Sequence, residues 1–244
     1  MRMPEVMIVV PTYNEVEGLE RTVGRLRQSV PHAELVIVDD GSPDGTGELA
    51  DSLAKRDAGT LVIHRAERGY RTAVLEGMRF AMSRGATRIV VTDADGSYDA
   101  DDLPELLAVS ADGVDLVIGS RFVEGSDVRN MGLRRRLAAR LGNAYARGML
   151  QTGVQDLTSS LRVYRTRILE RIDLEAIQVD AYAFQIAMAV RVAQAGGSIA
   201  EVPIHFIERV TGSSKMRFAE ELGTVGAVTK WSLSGVRALP KPPR

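Results

Sequence analysis

The stretch Val90-Val-Thr-Asp-Ala-Asp95 ends an apolar run in two carboxylates, and Gly96 follows directly. In an extended chain, side chains two positions apart point to the same side, so Asp93 and Asp95 can converge where a strand ends. Two converging carboxylates repel each other unless a cation lies between them. Mg²⁺ and Mn²⁺ prefer hard oxygen ligands and usually keep positions for water and substrate phosphates. Because a solvated turn after a strand gives the same pattern, the choice depends on the rest of the chain.

The first half of the chain alternates between short apolar runs and segments with helical spacing of their apolar residues. The predicted strands are Val6–Val10, Leu35–Val38, Leu61–His64, Arg88–Thr92 and Leu116–Ile118, and the predicted helices are Val16–Val30, Thr46–Lys55 and Thr72–Arg84. The second half predicts strands at Arg162–Tyr164 and Ser198–Val202 and a helix over Ala183–Ala195. Short apolar strands that alternate with helices predict an α/β fold whose parallel sheet is covered on both faces.

Three polar segments follow strand ends in this arrangement: Pro11–Glu15, Asp39–Ser42 and Asp93–Asp95. Ligands of such sheets bind outside the carboxyl ends of the strands, so we expect the three segments to gather at one edge. Asp39 and Asp40 directly follow an apolar strand. They are candidates to accept hydrogen bonds from the N–H groups of a base or from ribose hydroxyls.

Composition and missing motifs exclude several classes of protein. The 244 residues carry a net charge of −1, so no overall field recruits nucleic acid, and the absence of cysteine fits a reducing compartment. No apolar run approaches the roughly 18 residues of a membrane span, and the segment before the first strand is too short for a signal peptide. The chain has neither a dinucleotide-binding glycine motif nor a P-loop, and its three histidines are scattered. We therefore expect a cytoplasmic protein, soluble or peripheral on the membrane.

Cationic side chains follow later elements. Arg121 comes directly after a strand, and the planar fork of an arginine can bind a diphosphate. Arg209 and Lys215 lie in a polar segment, residues 208–217, that contains Gly212 and two serines. Such a loop can close over phosphates and neutralise the charge of a leaving group. Each of these signals is weak when taken alone.

A helix predicted over Gly132–Leu150 combines leucines at four-residue steps with arginines. The leucines are Leu133, Leu137 and Leu141, and the arginines are Arg134, Arg135, Arg136, Arg140 and Arg147. Two interpretations stay open. The leucines lie in the core while the arginines face water, or the helix lies on an anionic bilayer.

Taken together, these segments resemble family 2 glycosyltransferases, and within them the group of bacterial polyprenol monophosphomannose synthases and dolichyl-phosphate mannose synthases. The matching pieces occur in the family's order over about residues 5–217. They are Pro11-Thr-Tyr-Asn-Glu15, Val38-Asp-Asp-Gly-Ser-Pro-Asp-Gly-Thr46, Asp93-Ala-Asp-Gly-Ser97, Gly119-Ser-Arg121, Asp156-Leu-Thr-Ser-Ser-Leu-Arg162, Phe184-Gln-Ile186 and Glu201-Val-Pro-Ile204, followed by Arg209 and Ser214-Lys215. Each piece is weak, but their order and combined spacing are specific.

The resemblance implies a GT-A fold, which is a Rossmann-like arrangement with a mixed sheet and helices on both faces. We expect the transferase domain at residues 1–217, and the sequence beyond it predicts a peripheral C-terminal helix at 218–238 and a disordered, proline-containing tail at 239–244. The implied reaction moves mannose from GDP-mannose to a polyprenyl phosphate with inversion of the anomeric centre. A phosphate acceptor is already an anion at pH 7, so no general base is needed, and the enzyme must position two anions and neutralise their charge.

The resemblance also implies roles for individual residues. The implied donor site consists of Pro11, Tyr13, Glu15, Val38, Asp39, Asp40, Asp93, Ala94, Asp95, Arg121, Arg209, Val210 and Lys215. The implied ligands of Mg²⁺ or Mn²⁺ are Asp93, Asp95 and Ser97, and the implied catalytic residues are Asp95, Arg121 and Lys215.

The chain departs from the family pattern at four places. Ala187 stands where an acid is usual, Arg68-Gly-Tyr-Arg71 replaces a Gly-Leu-Gly segment, Thr158-Ser-Ser-Leu-Arg162 lacks the usual glycine, and Ser97 replaces a frequent glutamine. These changes leave two alternatives open. One is a transferase of the same fold with another sugar nucleotide or a small soluble acceptor, and the other is a non-catalytic nucleotide-sugar-binding protein. The intact pair of aspartates, together with Arg121, argues against the non-catalytic alternative.

Overall fold

A computed structural model describes residues 4–179, 181–208 and 218–233. Its strands are β1 Val6–Thr12, β2 Glu34–Asp39, β3 Thr60–His64, β4 Arg88–Val91, β5 Leu116–Ser120, β6 Asp127–Arg129, β7 Arg162–Arg165, β8 Ile199–Pro203 and β9 His205–Ile207. Its helices are α1 Val16–Ser29, α2 Thr46–Arg56, α3 Tyr70–Ser83, α4 Leu103–Ala111, α5 Leu133–Leu150, α6 Thr166–Leu169, α7 Ala181–Gln194 and α8 Phe218–Leu233. Arg209, Val210, Lys215 and the tail 239–244 lie outside the described residues.

The central sheet has seven strands in the order β3-β2-β1-β4-β7-β5-β8. Its pairs are parallel except that β7 runs antiparallel to both β4 and β5. The expectation of an α/β sheet is therefore confirmed, and the sheet is mixed, as the resemblance implied. A second sheet pairs β6 with β9. The sequence did not predict it, because three residues are too few to show a period.

Both faces of the sheet are covered, which explains why its strands are apolar throughout. In β1, Met7 and Val9 face a core cluster built with α3 and α7, while Ile8 and Val10 face another built with α1, α2 and α4. The C-terminal helix α8 contacts α5 and α7, and its Val228 is buried in the first cluster. No helix in the described ranges is long and apolar enough to cross a membrane.

Helix α3 packs directly on the sheet at Gly77. A Cβ added there would lie 2.3 Å from Val9 Cγ1 and 3.1 Å from Val38 Cγ2. We expect Gly77→Ala to lower the free energy of unfolding by about 1–3 kcal/mol, because the extra methyl overpacks the core. Gly24→Ala in α1 is the matched control, since nothing lies within 4 Å of its added Cβ. It should stabilise the protein by roughly 0.5–1 kcal/mol. Urea denaturation measures the free energy of unfolding of both variants. Equal values for Gly77→Ala and Gly24→Ala would contradict this packing.

The leucines of α5 point away from the core. Leu133, Leu137 and Leu141 are 82%, 56% and 61% exposed, and Tyr145, four residues further on, is also exposed. The interpretation that these leucines are buried is therefore wrong. The side of α5 that does pack inward carries Asn143, Ala146 and Leu150. The helical spacing correctly predicted that the three leucines share one side of α5. It could not show which side of the helix packs against the rest of the protein.

Candidate active site

The loops that follow β1, β2 and β4 meet at the carboxyl edge of the sheet. The register aligns Pro11 with Val38 and Thr12 with Asp39, so the first two loops leave the sheet side by side. The N–H of Asn14 then donates to Ser42 Oγ at 3.0 Å, and that of Glu15 donates to Thr46 Oγ1 at 2.9 Å. The loop after β4 is held against α1, because Thr22 Oγ1 donates to the Ala94 carbonyl oxygen at 2.9 Å. The three polar segments predicted to gather at one edge do so.

Asp39 and Asp40 are buried, and their carboxylates are engaged by the protein itself. Asp39 Oδ1 accepts from the hydroxyls of Thr12 and Ser42, and its Oδ2 accepts from the Ser42 N–H at 3.1 Å. Asp40 pairs with Arg65 and accepts from the Gly69 N–H at 2.8 Å. Burial raises the pKa of Asp40, and these two partners oppose the shift. The role of both residues as acceptors for a base or ribose stays a prediction.

The other implied donor residues surround this edge. Pro11, Val38 and Ala94 are buried. Tyr13 is partly exposed, and the guanidinium of Arg68 lies over its ring at 4.5 Å from the centroid. At this distance the guanidinium and the ring are in cation–π contact. Contact of these residues with a donor stays a prediction.

Asp93, Asp95 and Ser97 lie in the turn that follows β4. Gly96 has φ +72°, a conformation that glycine adopts readily, and it lets the Ser97 N–H donate to Asp95 Oδ1 at 2.9 Å. No cluster of three or more acidic, histidine or cysteine side chains suited to a metal is found within the described residues. Two carboxylates and a hydroxyl still fit Mg²⁺ or Mn²⁺, because these ions take further oxygens from water and substrate phosphates. The ligand set stays a prediction.

The side chains of Tyr70, Tyr98, Ser160 and Gln185 form a hydrogen-bond network beside Asp93. Ser160 Oγ lies 2.6 Å from Asp93 Oδ2 and 3.0 Å from the Tyr98 oxygen. The Tyr70 oxygen lies 3.4 Å from Asp93 Oδ1, and Gln185 Nε2 lies 3.0 Å from the Tyr70 oxygen. Burial raises the pKa of both tyrosines, so they stay protonated at neutral pH. The comparison with the family pattern had singled out the segments of Tyr70, Ser160 and Gln185, but it did not predict their network with Asp93, and it did not point to Tyr98.

Arg121 forms a buried bidentate ion pair with Asp156. Its Nε lies 2.7 Å from Asp156 Oδ2, and its Nη2 lies 2.8 Å from Asp156 Oδ1 and 2.9 Å from Thr158 Oγ1. Burial would lower the pKa of Arg121, but Asp156 outweighs it and holds that pKa above its ordinary value. Burial would likewise raise the pKa of Asp156, and Arg121 holds it below the usual range. A phosphate contact from Arg121, which stays a prediction, would fall to Nη1.

His205 contacts Asp102 through both its backbone and its ring. Its backbone N–H donates to Asp102 Oδ2 at 2.7 Å, and its Nδ1 lies 2.7 Å from Asp102 Oδ1. The hydrogen bond with Asp102 raises the pKa of His205. These contacts tie β9 to the turn Ala100–Asp102, which follows the aspartate segment.

Comparison with known proteins identifies the family. The profile of Glycosyl transferase family 2 matches residues 7–173. The chain belongs to this family. Within family 2, it is 42% identical over 231 residues to polyprenol monophosphomannose synthase of Mycolicibacterium smegmatis, covering 94% of this chain and 87% of that protein. It is also 42% identical over 238 residues to undecaprenyl-phosphate mannosyltransferase of Micrococcus luteus, covering 96% of this chain and 98% of that protein.

Solved structures of distant glycosyltransferases confirm the GT-A fold of this family 2 enzyme. A mannosyltransferase from Pyrobaculum calidifontis in complex with GDP-Man and Mn²⁺ superposes with a TM-score of 0.60 at 19% identity, covering 96% of this chain and 73% of that one. Glucosyl-3-phosphoglycerate synthase from Mycobacterium tuberculosis, in complex with Mn²⁺, UDP-glucose and phosphoglyceric acid, superposes with a TM-score of 0.65 at 19% identity. The match covers 97% of this chain and 81% of that one.

Proposed function

We propose that this glycosyltransferase moves mannose from GDP-mannose to a polyprenyl phosphate and yields polyprenyl-phosphate mannose. The observation that carries the proposal is the 42% identity, over nearly the whole chain, to two relatives named for mannosyl transfer and for polyprenyl or undecaprenyl acceptors. The aspartate turn after β4 supports it, because a nucleotide diphosphate needs a divalent cation at such an edge. The distant mannosyltransferase with GDP-Man and Mn²⁺ points in the same direction.

The proposed chemistry is a direct displacement at the anomeric carbon. An oxygen of the acceptor phosphate forms a bond to C1 of mannose on the face opposite GDP, the bond from C1 to the diphosphate oxygen breaks, and GDP leaves with the electron pair. Mg²⁺ or Mn²⁺, when bound, neutralises charge on the diphosphate. Asp95, with Asp93 and Ser97 beside it, would hold the ion. Cationic groups assigned to the phosphates are Arg121 and, outside the described residues, Arg209 and Lys215.

A nucleotide screen tests the donor and the metal. Ligands that bind only the folded state raise its melting temperature by an amount set by their concentration relative to the dissociation constant. Melting curves with GDP, UDP, TDP and CDP, each with and without Mn²⁺, should show the largest shift with GDP plus Mn²⁺. A larger shift with UDP would favour a transferase that uses another sugar nucleotide. No shift with any nucleotide would overturn nucleotide-sugar transfer altogether.

We further propose that α5 rests on the cytoplasmic membrane surface, where a lipid-linked acceptor is found. The stripe of Leu133, Leu137 and Leu141 is exposed in the structure, and Arg134 beside it is exposed as well. An amphipathic helix with apolar residues on one side and arginines beside them binds anionic bilayers. Arg135 is less available to lipid, because it pairs with Glu208.

Vesicle binding is expected to depend on this helix. The protein should co-sediment with phosphatidylglycerol vesicles at low salt and dissociate as salt rises, because exposed charges are screened. Replacing Arg134, Arg135 and Arg136 with glutamine should weaken this association, and so should replacing the three leucines with serine. GDP binding should not change in either variant. Arg56→Gln is the control, since Arg56 is an exposed arginine on another helix. Equal co-sedimentation of all proteins would exclude α5 as the membrane contact.

A further inference from the structure

The hydrogen bonds around Asp93 have a fixed direction. An ionised carboxylate only accepts, so the single proton of Ser160 goes to Asp93 Oδ2 at 2.6 Å. The Ser160 N–H donates to the Tyr98 oxygen at 3.1 Å, which leaves the Tyr98 proton for Ser160 Oγ. The amide nitrogen of Gln185 only donates, so the Tyr70 oxygen accepts from it and the Tyr70 proton faces Asp93 Oδ1. Both oxygens of Asp93 therefore face protein hydroxyls.

Two of these hydroxyls are additions that the family pattern does not contain. Tyr70 stands where the resemblance places leucine, and Ser160 stands where it places glycine. Neither leucine nor glycine has a side chain that can donate a hydrogen bond. Tyr70 is further held by an edge-to-face contact with Phe184, with ring centroids 6.3 Å apart. Both departures thus act on one carboxylate.

Asp93 and Asp95 differ in their surroundings as a result. The hydroxyls of Tyr70 and Ser160 orient the Asp93 carboxylate, and hydrogen bonds of this kind are usual around carboxylates that ligate a metal. Asp95 Oδ1 instead accepts a backbone N–H within its own turn, from Ser97. The backbone of its own turn thus contacts Asp95, while side chains from distant parts of the chain contact Asp93.

We propose that Ser160 and Tyr70 are positioning residues that fix the Asp93 carboxylate for the sugar-transfer step, while metal-dependent binding of the diphosphate relies on Asp95. This inference rests on the proposed function, because it assigns a role within the same site. The double variant Ser160→Ala/Tyr70→Phe removes both hydroxyls and keeps the aromatic ring. It separates the two roles because it leaves Asp95 and its turn intact.

The test compares turnover with nucleotide affinity. For the double variant, we expect kcat to fall roughly tenfold or more, since a hydrogen bond to a charged acceptor is lost. Its dissociation constant for GDP with Mn²⁺, measured by calorimetry, should stay within about twofold of wild type, because a change of 1.4 kcal/mol would already be tenfold. Ser160→Thr keeps the hydroxyl and should retain most of the turnover. Ser110→Ala is the matched control, because Ser110 is buried and its hydroxyl has no hydrogen-bond partner among the described residues.

Two results would overturn the inference: an unchanged kcat in the double variant, or a loss of GDP affinity in proportion to the loss of turnover. The second would make the network a support for the whole site rather than for the transfer step. Failure of the proposed function is a separate result, since wild-type enzyme would then not transfer mannose from GDP-mannose. In that case the same two constants are measured with the nucleotide sugar that the melting screen selects.

Discussion

Asp95→Ala is expected to abolish metal-dependent binding of GDP. The turn at Gly96 places Asp95 at the carboxyl end of β4, and its Oδ1 accepts from the Ser97 N–H at 2.9 Å. Asp95 is a proposed ligand of the cation, so its removal would leave the diphosphate and its cation without that carboxylate. The loss should reach several kcal/mol, which is roughly a hundredfold or more in the dissociation constant. Titration calorimetry of GDP with and without Mn²⁺ measures it.

The control for this experiment is Asp112→Ala. Asp112 is an exposed aspartate at the end of α4, away from the aspartate turn, so its removal changes net charge by the same amount. GDP affinity in the presence of Mn²⁺ should match that of wild type. If Asp95→Ala also bound GDP with unchanged, Mn²⁺-dependent affinity, the assignment of the metal to this turn would be wrong.

Asp156→Ala is expected to cause the largest loss of stability. Asp156 is fully buried, and Arg121 opposite it is 7% exposed. Truncating Asp156 leaves the guanidinium of Arg121 buried without its counter-charge, which costs about 3–5 kcal/mol. For a chain of this size, the melting temperature should fall by roughly 6–20 °C. Calorimetric or fluorescence melting curves in the absence of nucleotide measure the shift.

Two further variants sharpen this prediction. Glu20→Ala breaks an exposed ion pair with Arg56 and should cost at most about 1 kcal/mol. The double variant Arg121→Met/Asp156→Leu removes both buried charges and should recover much of the stability lost in Asp156→Ala. Because this double variant is expected to fold, its turnover tests the predicted phosphate contact of Arg121 apart from stability. A loss in Asp156→Ala no larger than that in Glu20→Ala would contradict the account of the buried pair.

Much of the fold could be predicted because local patterns carry it. The strands β1, β2 and β4 and the polar turns that follow them could be predicted, because fully buried strands are apolar runs with few polar residues. The antiparallel direction of β7 could not be predicted, because it depends on how a distant segment of the chain returns to the sheet. The short β6 and β9 gave no period at all.

The candidate site was partly predictable for the same reason. Asp93 and Asp95 stand out by spacing alone, while the contact of Ser160 with Asp93 joins residues 67 positions apart in the chain. No local pattern shows such a pair. The exposure of Leu137 could not be predicted either, since the spacing of apolar residues along a helix does not show whether another element packs on them. The contacts of Asp39 and Asp40 depend on Thr12 and Arg65, which only the folded sheet brings near.

Mannosyl transfer to a polyprenyl phosphate can be measured in a single assay. GDP-mannose labelled in the sugar is incubated with Mn²⁺ and a polyprenyl phosphate, and the label is followed into an organic extract. We expect lipid-linked label that requires the enzyme, the metal and the lipid, and that is absent with Asp95→Ala. Label that stays in water, or that moves only to a soluble phosphate-bearing acceptor such as phosphoglyceric acid, would contradict the account.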